Sequence, residues 1–280
     1  MSHIAYIGTG LLGSAFVEAA IGRGDQVTVW NRTASKAHAL QAFGAVVAAT
    51  PADAVRGAVR VHLVLPDDGV VEQVIASLRQ ALAPGAVIVD HSTTLPATTA
   101  ARSARLNAEG VNYLHCPVFI GPAAAREGKG IIMVAGRRDL FEQVQPALER
   151  QAERVEYLGE RPDLAAVYKL CGNAFIVGMN GLVADVFSIA SGAGVANPDA
   201  LKLLEFFDPR SITAVRGKKM AARDYTATFE LSMARKDVRL MIETAGERPL
   251  AMLPGLAARI DTLLAEGHAA DDLAVIARDA

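Results

Sequence analysis

The chain has 280 residues, of which 28 are Lys or Arg and 30 are Asp or Glu, so its formal net charge is −2. A length of this size predicts about two domains. Hydrophobic residues make up 51% of the chain and charged residues 21%, which excludes an intrinsically disordered protein. The balanced charge argues against a nucleic-acid-binding protein, since such proteins carry a basic excess. The two cysteines do not form a C-x-x-C pair, which excludes a disulfide framework and argues against a structural zinc site.

The N-terminal segment lacks the basic start of a secretory signal peptide. Glycines at positions 8, 10 and 13 interrupt the apolar residues that follow, so a strand that enters a turn is expected there. A membrane-spanning helix needs roughly 18 or more consecutive apolar residues, and no such run is apparent. We therefore expect a cytoplasmic protein that does not span a membrane.

The first 160 residues alternate short β-branched runs with helical stretches. The predicted strands are Ile4–Ile7, Gln26–Trp30, Val61–Leu65, Ala86–Asp90, Val111–His115, Ile131–Ala135 and Val155–Leu158. The predicted helices are Leu11–Ile21, Val70–Leu82, Thr98–Asn107 and Asp139–Gln151. This alternation is typical of an α/β fold, a Rossmann-type doubly wound parallel sheet with helices on both faces. We expect residues 1–160 to form a dinucleotide-binding domain.

After Gly159 the pattern becomes helical. One stretch, at about 162–191, is long for a globular helix, and prolines separate the shorter helices that follow. Apolar residues fall on nearly all sides of the long helix, which predicts that it is buried. Its glycines at 172, 178 and 181 would be explained by the close approach of a second helix, from the other domain or another subunit. We expect residues 161–280 to be an all-α domain for substrate binding and dimerisation, in a homodimer or higher homo-oligomer.

Residues 8–13 read Gly-Thr-Gly-Leu-Leu-Gly, between a predicted strand and a predicted helix. This is the context in which a G-x-G-x-x-G motif binds a dinucleotide. The first glycine permits a tight turn, the second lets the backbone approach a pyrophosphate, and the third lets the helix pack on the strand. The alternative is a glycine-rich turn that binds nothing. The cofactor-binding candidates in this part of the chain are Gly8, Gly10, Leu11, Leu12, Gly13, Leu65 and Pro66.

The second predicted strand ends near Trp30, where an acidic residue would bind the ribose 2′-hydroxyl of NAD. This chain has Asn31, Arg32 and Thr33 there instead, and we take all three as cofactor-binding candidates. An arginine can pair bidentately with a 2′-phosphate, which a carboxylate would repel. We therefore expect NADP(H) to be preferred over NAD(H). The alternative is that Arg32 is a solvated surface residue.

Lys169 and Asn173 lie four residues apart on the predicted long helix, so they share one face of it. A lysine that is removed from water has a lowered pKa and can transfer a proton near neutral pH. Asn173 would hold the same substrate oxygen or orient the ammonium group. These two residues alone are equally compatible with an exposed lysine at the start of a helix.

Taken together and in this order, the motifs resemble those of the β-hydroxyacid dehydrogenases, of the 3-hydroxyisobutyrate and 6-phosphogluconate dehydrogenase type. The glycine turn is similar to the family's cofactor motif, and Gly159 with Lys169-Leu-Cys-Gly-Asn173 is similar to its catalytic motif. Ser92-Thr93-Thr94 resembles a stretch that lines the family's cofactor and substrate cleft. Lys236-Asp237 resembles a segment near the nicotinamide. The resemblance covers nearly the whole chain.

The resemblance implies a reaction. NADPH would give a hydride to a carbonyl carbon while Lys169 protonates the oxygen and Asn173 assists through a hydrogen bond. The reverse reaction would oxidise a β-hydroxy acid or a related alcohol. The resemblance also implies cofactor contacts from Thr93 and Lys236. It implies substrate contacts from Thr93, Asn173, Lys236 and Asp237, and no metal.

One loop departs from the family pattern. The segment from His115 to Gly121 reads His-Cys-Pro-Val-Phe-Ile-Gly where the family has Asp-Ala-Pro-Val-Ser-Gly-Gly. The side chain of Phe119 cannot donate a hydrogen bond, and Ile120 restricts the backbone more than a glycine does. Phe119, Ile120 and Gly121 remain substrate-binding candidates, but an apolar or bulkier carbonyl substrate is as well supported as a small hydroxy acid. The alternative for Phe119 is that it only packs in the core against the long helix.

Two other functions stay open. Imine reductases have a similar fold and reduce C=N bonds, but they generally lack the catalytic lysine. Lys169 therefore argues against an imine reductase, whereas the apolar loop favours one. A scaffold that binds NADPH without catalysis is the third possibility, and the Lys169 and Asn173 pair argues against it.

Overall fold

The computed structural model describes residues 2–280. Its contacts divide the chain into two compact units, the first ending at Asn173 and the second comprising Ala174–Ala280. The division falls inside the long helix, whereas the boundary expected from the sequence, at residues 160 and 161, lies just before it. The reason is local packing, because Ala165 near the start of that helix is fully buried in a cluster with Met133 and Ala135 of the first unit.

The first unit contains a six-stranded parallel sheet in the order β3-β2-β1-β4-β5-β6. Its strands are β1 His3–Ile7, β2 Gln26–Trp30, β3 Val46–Val47, β4 Arg60–Leu63, β5 Val87–Asp90 and β6 Asn112–His115. This order is that of a doubly wound Rossmann-type sheet, so the predicted fold class is confirmed. In such a sheet the strand order reverses beside β1, and ligands bind outside the carboxyl ends of the strands at that point.

Helices cover both faces of this sheet. They are α1 Leu11–Gly22, α2 Ala34–His38, α3 Pro51–Val55, α4 Asp68–Leu78, α5 Pro96–Ala108, α6 Pro122–Arg126 and α7 Arg138–Leu148. Alternate residues of the strands enter two separate apolar clusters. Tyr6 packs in one cluster with Phe16 of α1, and Ile7 packs in the other with Ile75 of α4. Burial on both faces explains why the strands are continuous apolar runs.

A second, three-stranded sheet completes the first unit. It consists of β7 Val118–Phe119, β8 Ile131–Val134 and β9 Arg154–Tyr157, with β7 antiparallel to β8 and β8 parallel to β9. The sequence analysis identified β8 and β9 but neither β7 nor β3. Each of these two strands has only two residues, which is too short to show an alternating pattern.

The second unit is helical, as predicted. It contains the later part of α8 (Leu164–Gly192), followed by α9 Asn197–Ala200, α10 Pro209–Ala221, α11 Leu231–Ala245 and α12 Leu253–Ala265. Its core is formed by Leu231 and Val238 of α11 with Ile260 and Leu263 of α12. The carboxylate of Asp185, on α8, is fully buried and accepts hydrogen bonds from the backbone N–H groups of residues 251–253, at 2.5–3.0 Å. This interaction holds the start of α12 on α8.

The expectation that the long helix is buried is wrong for this single chain. In the second unit, α8 exposes large apolar side chains, including Phe175 and Val177, the latter 71% exposed. By length and composition alone, α8 could also cross a membrane, which corrects the expectation that no segment is long and apolar enough. Core helices of soluble proteins share this length and composition. In the second unit, α8 therefore leaves a large apolar surface exposed.

Candidate active site

The glycine turn after β1 is built by close backbone contacts. Gly8 has a φ of +99°, and a Cβ there would lie 2.2 Å from the carbonyl oxygen of Val64. A Cβ on Gly13 would lie 2.0 Å from the carbonyl oxygen of Gly8. At Gly10, by contrast, a Cβ would meet nothing within 4 Å. Two glycines therefore allow the turn to pack tightly, and the third leaves open the space in front of α1.

That space belongs to a cleft of about 650 Å³ beside the ends of β1, β2 and β4. Helix α1 begins at its edge, and its N-cap residue, Gly10, has no side chain to cap the first turn. The N–H groups of a helix's first turn and the positive end of its dipole favour an anion such as a pyrophosphate. Most of the cofactor candidates line the cleft: Gly8, Gly10, Leu11, Leu12, Gly13, Asn31, Arg32, Thr33, Leu65 and Pro66.

Several residues that the sequence analysis did not single out also line this cleft: Trp30, Lys36, Pro51, Val64, Val70, Gln73, Val74 and Ser77. Lys36 is the most informative of them, because it is a second cation beside Arg32. Both side chains are exposed, and neither makes an ion pair with any residue from 2 to 280. Lys36 lies on the short helix α2, which the sequence analysis did not predict, whereas Arg32 precedes that helix.

Asn31 joins the two loops at the end of the cleft. Its Oδ1 accepts a hydrogen bond of 3.0 Å from the backbone N–H of Thr9. Its Nδ2 donates one of 3.0 Å to the carbonyl oxygen of Thr33. The side chain therefore holds the glycine turn next to the segment that carries Arg32, which is a positioning role.

The loop that carries Thr93 is held on both sides. On one side, the Ser92 hydroxyl accepts a hydrogen bond from the backbone N–H of Leu65, at 3.0 Å. On the other, Asp68 accepts hydrogen bonds from the backbone N–H of Leu95, at 2.9 Å, and the hydroxyl of Thr98, at 2.6 Å. Partial burial opposes ionisation of Asp68, but these hydrogen bonds and the one from Arg102 hold its pKa below the ordinary value. Thr93 itself is exposed and does not line the cleft of about 650 Å³.

A second group of candidates meets at the first turns of α8. The ammonium of Lys169 donates a hydrogen bond of 2.9 Å to Oδ1 of Asn173. It also lies 4.3 Å from the centre of the Phe119 ring, within the range of a cation–π interaction. Lys169 is half-buried, and this burial lowers its pKa. The structure thus brings together the predicted catalytic pair and one predicted substrate residue.

The close neighbour of Gly172 is an aromatic ring and not a second helix, which corrects the sequence-based explanation. A Cβ on Gly172 would lie 2.1 Å from Cζ of Phe119, at the end of β7. At Gly178 a Cβ would meet nothing within 4 Å, whereas at Gly181 it would meet Cγ of Met252 at 2.9 Å. Gly172 therefore makes room for Phe119 beside Lys169 and Asn173.

The remaining candidates lie elsewhere in the two units. Ile120 is partly buried and packs against the larger core of the first unit, and Gly121 is exposed at the N-cap of α6. In the second unit, Lys236 and Asp237 lie on α11 and form an ion pair of 2.9 Å with each other. No group of side chains among residues 2–280 is arranged to hold a metal ion.

Comparison with known proteins agrees with this architecture. Residues 3–159, more than half of the chain, match the NAD binding domain of 6-phosphogluconate dehydrogenase. The chain is 26% identical to glyoxylate/succinic semialdehyde reductase 1 of Arabidopsis thaliana over 254 residues, which are 89% of this chain and 88% of the relative. It is 29% identical to 2-hydroxy-3-oxopropionate reductase of Escherichia coli over 248 residues, which are 86% of this chain and 84% of the relative.

Among solved structures, an imine reductase of Streptomyces aurantiacus superposes with a TM-score of 0.88, at 27% identity and 99% coverage of both chains. The matched domain spans the glycine turn, the cleft and strand β7, which carries Phe119. The chain therefore belongs to the family predicted from its motifs, the β-hydroxyacid dehydrogenases that share the NAD-binding domain of 6-phosphogluconate dehydrogenase.

Proposed function

We propose that the protein is an NADP(H)-dependent oxidoreductase that interconverts a β-hydroxy acid, or a related alcohol, and its carbonyl compound. The observation that carries the proposal is the half-buried Lys169, whose ammonium donates a 2.9 Å hydrogen bond to Asn173. A lysine placed in this way can give and take a proton. The relatives named as semialdehyde and oxopropionate reductases support the same class of reaction.

The residues of the cleft fit a phosphorylated dinucleotide. Gly10 leaves room for the pyrophosphate at the start of α1, and Arg32 and Lys36 supply two unpaired positive charges for a 2′-phosphate. Among residues 2–280, the cleft is lined by no acidic side chain that would accept a hydrogen bond from the ribose 2′-hydroxyl of NAD or repel a 2′-phosphate. When bound there, a reduced nicotinamide would supply the hydride for the carbonyl carbon and would be oxidised in doing so. These residues support a preference for NADP(H) over NAD(H).

Lys169 supplies the proton. As negative charge develops on the carbonyl oxygen, the ammonium donates a proton to it, which gives the alcohol, and the resulting amine takes a proton from water. Partial burial lowers the pKa of Lys169 and so makes this transfer easier near neutral pH. Asn173 Oδ1 accepts a hydrogen bond from one of the three N–H groups of the ammonium, which leaves two N–H groups for the substrate. In the direction of oxidation, the neutral amine removes the proton from the hydroxyl group.

The exposed apolar side chains of the second unit support assembly into a homodimer or a higher homo-oligomer. Phe206 is 81% exposed, and Phe175, Ile176 and Met179 on α8 are each more than half exposed. Apolar surface of this extent marks a protein interface more often than a surface that remains in water. We place the assembled protein in the cytoplasm.

Reduction of imines is the second candidate function. The 27% identity to the Streptomyces aurantiacus imine reductase and the aromatic Phe119 in the substrate loop favour it. A scaffold that binds the cofactor without turnover is the third.

The test is oxidation of NADPH and NADH by the purified protein with a panel of substrates: glyoxylate, succinic, methylmalonic and tartronic semialdehydes, apolar aldehydes and cyclic imines. NADPH-preferring reduction of an aldehyde would support the proposal. Turnover restricted to cyclic imines would favour the second function. Tight NADPH binding without any turnover would favour the scaffold.

A further inference from the structure

We propose that the Phe119 ring makes the site selective for carbonyl compounds that carry an apolar group, and not a carboxylate, near the reacting carbon. The inference rests on the proposed role of Lys169 and narrows its substrates to the alcohols related to β-hydroxy acids. Proton transfer by Lys169 does not by itself determine which substituents the site accepts, and the inference concerns these substituents.

The ring is held in place from three directions. Phe119 ends β7, where it is paired with Ile131 of β8. Its side chain packs on the small cluster around Met133 together with Leu158 and Leu164. On the third side it lies against the backbone of α8 at Gly172, where a Cβ would come within 2.1 Å of Cζ. A side chain confined in this way does not leave the lysine easily, so it forms a fixed part of the site.

The electrostatic potential of the Phe119 ring favours some substrate groups beside it over others. The face of an aromatic ring carries negative potential, which attracts the Lys169 ammonium at 4.3 Å and repels a carboxylate. Phenylalanine also offers no hydrogen-bond donor. A carboxylate held next to the ring would lose water without gaining a partner, which is unfavourable. An apolar substituent in the same place would bury its surface against the ring.

The charge of Lys169 does not compensate for this. One of its N–H groups is already given to Asn173 Oδ1, and its positive charge faces the ring. In the proposed reaction the remaining N–H groups point to the carbonyl oxygen. A substrate carboxylate that bound the ammonium would therefore compete with the oxygen that must receive the proton.

The test compares two aldehydes of similar length. Pentanal ends in an apolar methyl group, and succinic semialdehyde ends in a carboxylate. We expect kcat/KM of the wild-type protein with NADPH to be at least about tenfold higher for pentanal. Phe119→Ser, which removes the ring and adds a donor, should lower this ratio by about tenfold or more. Phe119→Leu keeps an apolar side chain, so the ratio should change far less.

Phe119→Leu also separates the electrostatic role of the ring from simple packing. Loss of the cation–π interaction destabilises the ammonium, so the pKa that governs kcat/KM should move to lower pH in this variant. A residue that only filled space would leave that pKa unchanged. Thermal unfolding of both variants shows whether they are folded, and Phe119→Leu remains informative if Phe119→Ser is not.

A wild-type preference for succinic semialdehyde, or a ratio that Phe119→Ser leaves unchanged, would overturn the inference while leaving the proposed reaction intact. Failure of the proposed reaction looks different, since no aldehyde would then be reduced in a manner that depends on Lys169. In that case calorimetric titration of the NADPH complex with butyrate and butanamide still tests the inference. We expect butanamide, which is uncharged, to bind more tightly than butyrate. Tighter binding of butyrate would contradict the inference.

Discussion

Asn173 Oδ1 lies 2.9 Å from the ammonium of Lys169, one turn further along α8. An asparagine amide carries no charge, so it orients the lysine without stabilising the ammonium as strongly as a carboxylate would. The pKa of Lys169 therefore stays lowered by burial. This combination holds one N–H group in place and keeps the proton transferable.

Replacing Asn173 tests this arrangement. Asn173→Leu should lower kcat by about 10- to 100-fold, the loss expected for a hydrogen bond to a charged group. Asn173→Asp should raise the pKa of Lys169, because a carboxylate favours the ammonium. The measurement is the pH profile of kcat/KM. Asn180→Leu is a matched control on the same helix, since Asn180 donates a hydrogen bond to the carbonyl oxygen of Ile176. An unchanged profile in Asn173→Asp would contradict the account.

Arg32 and Lys36 should determine the choice of cofactor. In the proposed site, Arg32→Glu would replace a bidentate partner of the 2′-phosphate with a group that repels it, so the Kd for NADPH should rise by at least about tenfold. Lys36→Ala should weaken NADPH binding less than Arg32→Glu, since a lysine is a single point charge. NADH binding should hardly change in Lys36→Ala. Fluorescence titration measures the Kd values for NADPH and NADH. The control is Lys129→Ala, which changes an exposed lysine that is paired with Glu127. An equal loss of affinity for NADPH and NADH would show that Arg32 and Lys36 do not bind the 2′-phosphate.

Two glycines of the turn are expected to have different roles, Gly13 in stability and Gly10 in NADPH binding. Gly13→Ala should lower the melting temperature, because its Cβ would collide with the carbonyl oxygen of Gly8 at 2.0 Å. Gly10→Ala meets nothing within 4 Å in the protein, so it should cost less than about 1 kcal/mol of stability but weaken NADPH binding. Gly22→Ala, in the same helix and also without neighbours within 4 Å, is the control for both measurements. If Gly10→Ala leaves NADPH binding unchanged, the pyrophosphate does not bind next to Gly10 at the start of α1.

Two buried histidines predict how stability depends on pH. His62 Nδ1 and His91 Nε2 lie 3.0 Å apart, and both rings are buried. Burial lowers the pKa of His91 to about 4, and it lowers that of His62 well below its ordinary value. The unfolded chain therefore binds more protons than the folded protein once the pH falls below about 6.5. Stability is then present in full above this pH and is lost as the pH falls towards the folded values.

For His91 alone the loss is about 3 kcal/mol between pH 6.5 and 4. Urea unfolding between pH 8 and 5 measures the effect before most carboxylates titrate. His91→Gln should reduce the slope of the free energy of unfolding against pH in the range 5 to 6.5. His38→Gln, a change of an exposed histidine, is the control variant. A wild-type free energy that stays constant from pH 8 to 5 would contradict the prediction.

The regular parts of the Rossmann-type unit could be predicted because their burial repeats along the chain. Strand β2 has the bounds Gln26–Trp30 that its apolar run indicates, and α1 begins at Leu11 as the glycine motif requires. The same motif placed the cleft. Lys36 was missed because α2 has only five residues and shows no helical period.

Contacts that join distant parts of the sequence could not be predicted in the same way. Phe119 and Lys169 lie 50 positions apart, and no periodic pattern relates a two-residue strand to one turn of a long helix. The exposure of α8 could not be predicted either. An apolar surface has the same sequence pattern whether it is covered by its own chain or by another molecule.

The most direct test of the proposed function is a single-turnover experiment with Lys169→Ala. The protein saturated with NADPH is mixed rapidly with an aldehyde that the wild type reduces, and the loss of NADPH absorbance gives the rate of the reduction step. We predict a rate at least about 100-fold lower than that of the wild type, as for other general acids. NADPH binding should be unchanged, since Lys169 does not line the cofactor cleft. Lys202→Ala, an exposed lysine paired with Asp199, should behave as the wild type. A rate in Lys169→Ala within a few-fold of the wild-type rate would contradict the account.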